Sequence, residues 1–303
     1  MVRMDLASLH QELVVSSDLL IVQDLDGVCM PLVKDPLTRR LPAGYVHAAA
    51  GLRGCFCVLT NGEHEGHRGV NRLVEKALGD STLARRQGLY LPGLAAGGVQ
   101  YQDAFGQLTH PGVSEAEINF LASVPGRMKG LMTSMLQTSM PELGERELAV
   151  EVERAVLDTQ VSPTINLNSL FARIPDDVAR QRHLQSMLEE LMQQLMAMAA
   201  SEGLHDSFFL HVAPNLGRDS RGCELLKPSV AGDVGSTDIQ FMLRGAIKEA
   251  GLLVLINRHI AARTGTAPLG DEFNVRTAPH DHDALLALCK QRIPRDQMPH
   301  LVG

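Results

Sequence analysis

Leu19-Leu20-Ile21-Val22-Gln23-Asp24-Leu25-Asp26-Gly27-Val28 is the stretch on which the fold turns. Four large apolar residues in a row suit a strand covered on both faces, which is the environment of a parallel sheet. They run into two acids and a glycine, so the chain leaves the strand in a tight polar turn. In open α/β sheets ligands bind just outside the carboxyl ends of the strands, at a topological switch. Two carboxylates two residues apart repel unless a cation lies between them, and a hard divalent ion such as Mg²⁺ with oxygen ligands meets that need. A carboxylate beside such an ion can attack a phosphoryl group while a neighbouring acid protonates the leaving oxygen. Taken alone, the same residues also describe an ordinary strand-end turn.

Outward from that strand the pattern repeats. Residues 5–17 and 43–52 read as short helices. Cys55-Phe56-Cys57-Val58-Leu59 is a second buried-strand pattern, and it ends in Thr60-Asn61-Gly62. A helix is expected at 66–79, with Val70, Leu73, Val74 and Leu78 on one face. Strand, helix, strand, helix implies right-handed crossovers and a doubly wound parallel sheet. Thr60 and Asn61 place a hydroxyl and an amide at the height of the acid pair. They are neutral donors for phosphate oxygens. Gly93 with Gly97-Gly98 lacks the order of a dinucleotide-binding loop and reads as turn chemistry between short strands.

Past about residue 105 the character changes. Leu184, Met187, Leu188, Leu191, Met192, Leu195 and Met196 form a stripe at helical spacing, the mark of a core-facing helix with methionine filling gaps. Phe208–Val212 reads as a strand, 214–237 as loop-rich, and a strong apolar helix begins near Lys248. Residues 283–291 read as a helix and Met298–Gly303 as the start of another strand. The expected organisation is a sheet core over 1–105, an inserted unit over 106–240 and a return to the core over 241–303.

Composition narrows the function classes. The 303 residues carry 28 Lys+Arg against 35 Asp+Glu, a net charge of −7, with no basic run. That argues against nucleic acid or an anionic membrane surface as a partner. No apolar stretch approaches the ~20 residues of a membrane span. The amino-terminal residues lack the apolar core of a secretion signal. Five scattered cysteines without a CxxC read as reduced thiols. A cytoplasmic globular protein is expected. With 4% aromatics and no Trp, ligand recognition would rest mainly on polar groups. His64-Glu65-Gly66-His67 lacks the i, i+4 spacing of a zinc helix. His280-Asp281-His282-Asp283 reads as a helix start capped by Asp283.

The acid pair and the hydroxyl-ended second strand resemble the haloacid-dehalogenase phosphohydrolases. The resemblance narrows to the glucosylglycerol-3-phosphate phosphatase family. It rests on residues 23–30 (QDLDGVCM), 59–64 (LTNGEH), 88–100 (GLYLPGLAAGGVQ), 213–219 (APNLGRD) and 241–251 (FMLRGAIKEAG). It implies a doubly wound haloacid-dehalogenase-like core with an inserted α/β cap, and an Mg²⁺-dependent phosphatase of compatible-solute synthesis under salt stress. Its substrate would be a small sugar phosphate, glucosylglycerol 3-phosphate. By the same resemblance Asp24 is the nucleophile, Asp26 the general acid/base, and both serve Mg²⁺, Asp26 through its backbone carbonyl. Thr60, Asn61 and Gly62 would bind phosphate, with Glu63 and His64 near the pocket rim touching substrate. Lys248 is the expected charge-offsetting lysine and Lys227 its runner-up, while Asn215 and Arg218 are candidate sugar contacts.

One departure from the family pattern is a fourth motif, an apolar strand ending in acids, which the family places after the residues matching Met298–Gly303. The expectation is a truncated or partial form. Asp233 and Asp238, or Asp271 with Glu272, are poor substitutes because no strong strand precedes them. Two other readings stay open: a phosphatase for another sugar phosphate such as trehalose or sucrose phosphate, or an impaired binding or regulatory form.

Overall fold

A computed structural model describes residues 11, 13–33, 36–157 and 159–303. The helix expected over 5–17 lies largely outside the described residues. The chain divides into two compact units, 1–112 with 245–303 and 113–244.

In the first unit β1 (Leu19–Gln23) is followed by α1 (Ala43–Gly51) and β2 (Phe56–Leu59). Next come α2 (Val70–Leu78), α3 (Ser81–Gln87), and three short strands, β3 (Gly93–Ala95), β4 (Gln100–Gln102) and β5 (Leu108–Thr109). β1 and β2 run parallel with Gln23 opposite Val58, so their carboxyl ends lie side by side. β2 pairs parallel with β3, while β4 and β5 add antiparallel at the edge. The apolar run that named β1 explains the core: Leu20, Val58 and Leu94 are buried, as are Val70, Leu73 and Val74 on the inner face of α2. α2 ends at Gly79 in the left-handed conformation, the usual way to stop a helix. Asp80 then caps α3 by accepting from the Thr82 and Leu83 amides.

The second unit begins at α4 (Glu115–Ser139), where Ser114 and Glu117 form a reciprocal capping box. It continues through α5 (Glu145–Ala155), β6 (Val156–Leu157), β7 (Thr164–Asn166), α6 (Asn168–Phe171) and α7 (Val178–Ser201). The expected stripe is the inner face of α7, with Leu184, Leu188, Leu191, Met192 and Leu195 all buried. Then follow β8 (Phe208–Ala213), β9 (Asn215–Arg218), β10 (Glu224–Leu226) and β11 (Asp238–Leu243). β11 lies between β7 and β8 in an antiparallel sheet of order β6-β7-β11-β8, and β9 with β10 forms a separate hairpin. The region 214–237 is therefore less loop-like than its composition suggests. The unit boundaries also move. β5 still pairs with β4, which carries the first unit past residue 105, and residue 241 falls inside β11, so the return to the first unit comes after Arg244.

The first unit resumes with α8 (Lys248–Thr264), α9 (His282–Arg292) and β12 (His300–Val302). α9 is capped by Asp281, which accepts from the Ala284 amide, and not by Asp283, which lies within the first turn. β12 pairs parallel with β1 on the side opposite β2, giving the sheet order β12-β1-β2-β3-β4-β5. The chain thus leaves β1 in one direction and comes back on its other side. β1 is the switch point of the sheet, and its carboxyl end is where a ligand crevice belongs. No helix among the described residues is long and apolar enough to cross a membrane.

Candidate active site

Asp24 and Asp26 stand at that carboxyl end. The turn after Asp26 depends on Gly27, whose φ of +79° lies in the region that favours glycine. Its amide donates to the Met30 carbonyl at 2.8 Å, closing the loop back on itself. Asp24 Oδ1 accepts from the Leu25 amide at 2.9 Å, which fixes the carboxylate at the strand tip. Its Oδ2 accepts from Lys248 Nζ at 2.6 Å, with the two side chains 36% and 32% exposed. The lysine is the first residue of α8. The helix comes close to the sheet because Gly251 faces it without a side chain: a methyl there would sit 2.8 Å from Leu59 Cδ1.

The second strand ends beside the acids. Thr60 is buried, and its Oγ1 accepts from the Gly62 amide at 3.2 Å, leaving the hydroxyl hydrogen to donate elsewhere. Its carbonyl accepts from Gly97 and that of Gly62 accepts from Ala96, so the turn after β3 buttresses the 60–62 loop from behind. Asn61 is exposed at the loop tip. The structure thus brings Asp24 and Lys248 together and sets Asp26 and the Thr60–Gly62 loop on the neighbouring strand ends.

Glu63 and His64 differ from the expectation of a pocket rim. They are 3% and 0% exposed, so neither touches a substrate in this conformation. The His64 amide donates to Gln100 Oε1 at 2.7 Å, and Nε2 lies 3.2 Å from the Gly93 carbonyl. Burial drives the imidazole down to about 4, against a smaller opposing effect of the Gly93 hydrogen bond, and Nδ1 has no hydrogen-bond partner. His64 is a polar type turned inward because β3 and β4 supply its partners, and the Glu63 carbonyl accepts from the Val70 amide at the start of α2.

The other candidates belong to the second unit. Asn215 and Arg218 are exposed on β9, and both donate to Glu224, at 3.2 Å and 2.9 Å. Glu224 also receives His211 Nδ1 and the Val212 amide, each at 2.8 Å. Lys227 pairs with Asp233 at 2.6 Å, and Asp238 accepts from Asn166 and Thr237. Asp233 and Asp238 therefore shape loops and sheet ends of that unit. Asp271 lies exposed in the turn after Gly270.

Arg39 was not legible as a site residue. It lies in the loop between β1 and α1, is only 9% exposed, and donates Nη1 to Asp26 Oδ2 at 3.0 Å. Its Nη2 donates to the Arg68 carbonyl. Cys29, two residues past Gly27, has its thiol pushed up by burial and then by the charges of Asp26 and Asp24, against a hydrogen bond with Tyr45. Tyr45 in turn donates to Gln23, the residue before Asp24.

The donor chemistry at the tip suits Mg²⁺: two carboxylates, each about a third exposed, offered from one strand end. Among the described residues no three His, Cys, Asp or Glu side chains gather into a metal cluster. Mg²⁺ is commonly held by one or two carboxylates, with waters and substrate phosphate filling the remaining positions, so the pair fits it.

A family model described as glucosylglycerol-phosphate phosphatase matches residues 18–303. A protein of that name from Synechocystis sp. (strain ATCC 27184 / PCC 6803 / Kazusa) is 49% identical over 300 residues, covering 99% of this chain and 71% of its relative. Among solved structures, a trehalose-6-phosphate phosphatase related protein matches at 13% identity and a TM-score of 0.42, over 79% of this chain and 74% of that one. The C-terminal domain of trehalose-6-phosphate phosphatase from C. albicans matches at 12% identity and a TM-score of 0.43, over 85% and 66%. With its matched segment spanning nearly the whole sequence and half of its residues shared with the Synechocystis protein, the chain belongs to the glucosylglycerol-phosphate phosphatase family.

Proposed function

We propose that this chain hydrolyses the phosphomonoester of glucosylglycerol 3-phosphate, releasing glucosylglycerol and inorganic phosphate through an aspartyl-phosphate on Asp24. The observation that carries the reading is the pairing of Asp24 Oδ2 with Lys248 Nζ at the switch-point strand tip, beside a second acid and a strand-end hydroxyl. A carboxylate held by one ammonium in partial exposure is oriented yet open to an incoming phosphate. The lysine offsets negative charge that would otherwise keep a phosphate dianion away from an aspartate.

In the first half of the reaction an Asp24 oxygen bonds to phosphorus, the bond to the sugar-side oxygen breaks, and Asp26 gives that oxygen its proton. In the second half Asp26, now a carboxylate, takes a proton from water. The water oxygen attacks the aspartyl-phosphate phosphorus, and Asp24 leaves as a carboxylate. Thr60 Oγ1–H, Asn61 and Gly62 are the groups offered to the phosphate oxygens, in a loop closed by the Gly62 amide on Thr60 Oγ1. Asp24 through its carboxylate and Asp26 through its backbone carbonyl would hold Mg²⁺, which supplies charge neutralisation at the transferring phosphoryl group when bound.

The substrate assignment is tested by phosphate release with Mg²⁺ across glucosylglycerol 3-phosphate, trehalose phosphate and sucrose phosphate. The expected result is a kcat/KM at least about 10²-fold higher for glucosylglycerol 3-phosphate, the discrimination that hydrogen-bonded hydroxyls supply. Equal rates, or a preference for a disaccharide phosphate, would overturn it.

A further inference from the structure

We infer that Arg39 is a positioning residue for Asp26, clamping the carboxylate so that one oxygen is held while the other faces the reacting group; this rests on the role proposed for Asp26 above. Asp26 needs such a clamp. It sits in a turn that reverses at Gly27, outside the regular hydrogen bonding of β1, and its side chain is 33% exposed. A short carboxylate in that setting has several rotamers open to it, and a proton carrier that swings loses the alignment that makes transfer efficient.

Arg39 supplies what the turn lacks. Its side chain is 9% exposed, rare for a residue of this type without a partner that warrants the burial. Nη1 reaches Asp26 Oδ2 at 3.0 Å, and Nη2 is anchored on the Arg68 carbonyl, in the loop leading to α2. The planar fork therefore holds a side chain from the β1 turn against a backbone group beyond β2, and such a rigid two-pronged geometry is what arginine offers and lysine does not. A methyl group placed on Gly62 would lie 3.7 Å from Thr60 Oγ1 and 3.9 Å from Arg39 Nη1, so hydroxyl and guanidinium flank the same point of the 60–62 loop. The clamp holds Oδ2 and leaves Oδ1 of the same carboxylate for the proton that must move. Arg39 acts through Asp26; no contact of its own with substrate is needed.

The test is steady-state kinetics on the full chain with Mg²⁺ for Arg39→Met, Arg39→Lys, Asp26→Asn and the Asp26→Asn/Arg39→Met double variant, each normalised to folded protein by its melting transition. Arg39→Met should lower kcat about 30- to 100-fold with KM changed less than about threefold, because alignment and not binding is lost. Arg39→Lys, which reaches one partner but not both, should recover part of that loss. In the Asp26→Asn background, Arg39→Met should cost nothing further, the non-additivity of residues that act as a unit. A kcat per folded molecule unchanged in Arg39→Met overturns the inference, as does a full additional loss in the double variant. Should Arg39→Met fail to fold, Arg39→Lys decides by the same kcat-against-KM split, wild-type kcat being the overturning result. If Asp26→Asn itself keeps wild-type turnover, the proton-carrier role of Asp26 fails and the clamp falls with it. An inactive Asp26→Asn beside an unaffected Arg39→Met overturns the clamp alone.

Discussion

β1 has an aspartate just outside each end, and α8 answers both of them. At the amino end Asp18 meets His259 Nε2 at 2.7 Å and the Arg263 guanidinium, from the second half of the helix. At the carboxyl end Asp24 meets Lys248, the first residue of the same helix. The chemistry of the two pairs is alike, but their surroundings are not. Asp18 is 18% exposed and His259 11%, and the Asp18 carbonyl and Arg263 also hold β12 and the turn before it, through the His300 amide and the Gln297 carbonyl. Every group there is spent on tying the first unit together. The Asp24 pair is about twice as exposed as Asp18, with a second acid two residues on and a buried hydroxyl at the next strand end. An ion pair becomes a staple or a site according to what is left over after it forms.

The sharpest way to break this contrast is Asp24→Asn. The amide has nearly the same shape and can still accept from Lys248, and exposed pairs of this kind contribute only about 0–1 kcal/mol to stability. The melting temperature should hardly move. Turnover should fall by at least about 10⁴-fold, because a carboxamide cannot form the acyl-phosphate. Phosphate release measured beside thermal melting checks both halves. Residual activity within tenfold of wild type would make Asp24 a second staple.

The carboxyl end was more legible in the sequence than the amino end, for a physical reason. Leu19–Val22 followed by two acids and Gly27 is a local signal, since burial on both faces and a tight polar exit are each written in consecutive residues. Lys248 was expected from the family resemblance, which calls for a lysine at a helix start, and the structure sets it against Asp24. Arg39 was not legible, because it lies in a loop without periodicity and its partner is fixed only when the β1 turn and the loop before α2 come together. His64 misled for the opposite reason. In Thr60-Asn61-Gly62-Glu63-His64 the last two residues have polar types that read as a rim, and only the tertiary partners Gly93 and Gln100 show that the chain turns inward. In the second unit, strands of three or four residues between glycines and aspartates carry too little alternation to be read. The 240/241 boundary cut through β11, whose six residues lose their alternation in the continuous apolar run Phe241–Leu243.

That inward histidine sharpens the contrast through pH. His64 is held neutral by burial, down to about 4 from an ordinary value near 6.5. The unfolded chain therefore binds a proton at His64 between those two values where the folded chain does not. Stability must fall as pH drops from about 6.5 to about 4 and level off below, by about 3 kcal/mol in all for this one group. His64→Gln removes the titration, so its loss of stability over that window should be shallower than wild type by that amount. Urea melts at pH 7, 5.5 and 4.5 for both proteins check this. Parallel curves would mean that the ring is not kept neutral by the fold.

The smallest expected effect falls at the other end of β1. In Asp18→Asn the side-chain oxygen can still accept one hydrogen bond, but the charge facing Arg263 and His259 is gone. Arg263 is 34% exposed and can turn to water, so the cost is that of a weakened, partly sheltered charge-assisted bond, about 1–2 kcal/mol. For a chain of this size that is a melting temperature lower by roughly 2–5 °C. The helix start should not move, because Gly251 against Leu59 and Lys248 on Asp24 fix it independently of the last turns. Turnover per folded molecule should therefore stay within twofold of wild type. If instead kcat fell as stability fell, α8 would be transmitting position from its last turns to Lys248, and the two ends of β1 would be one device and not two.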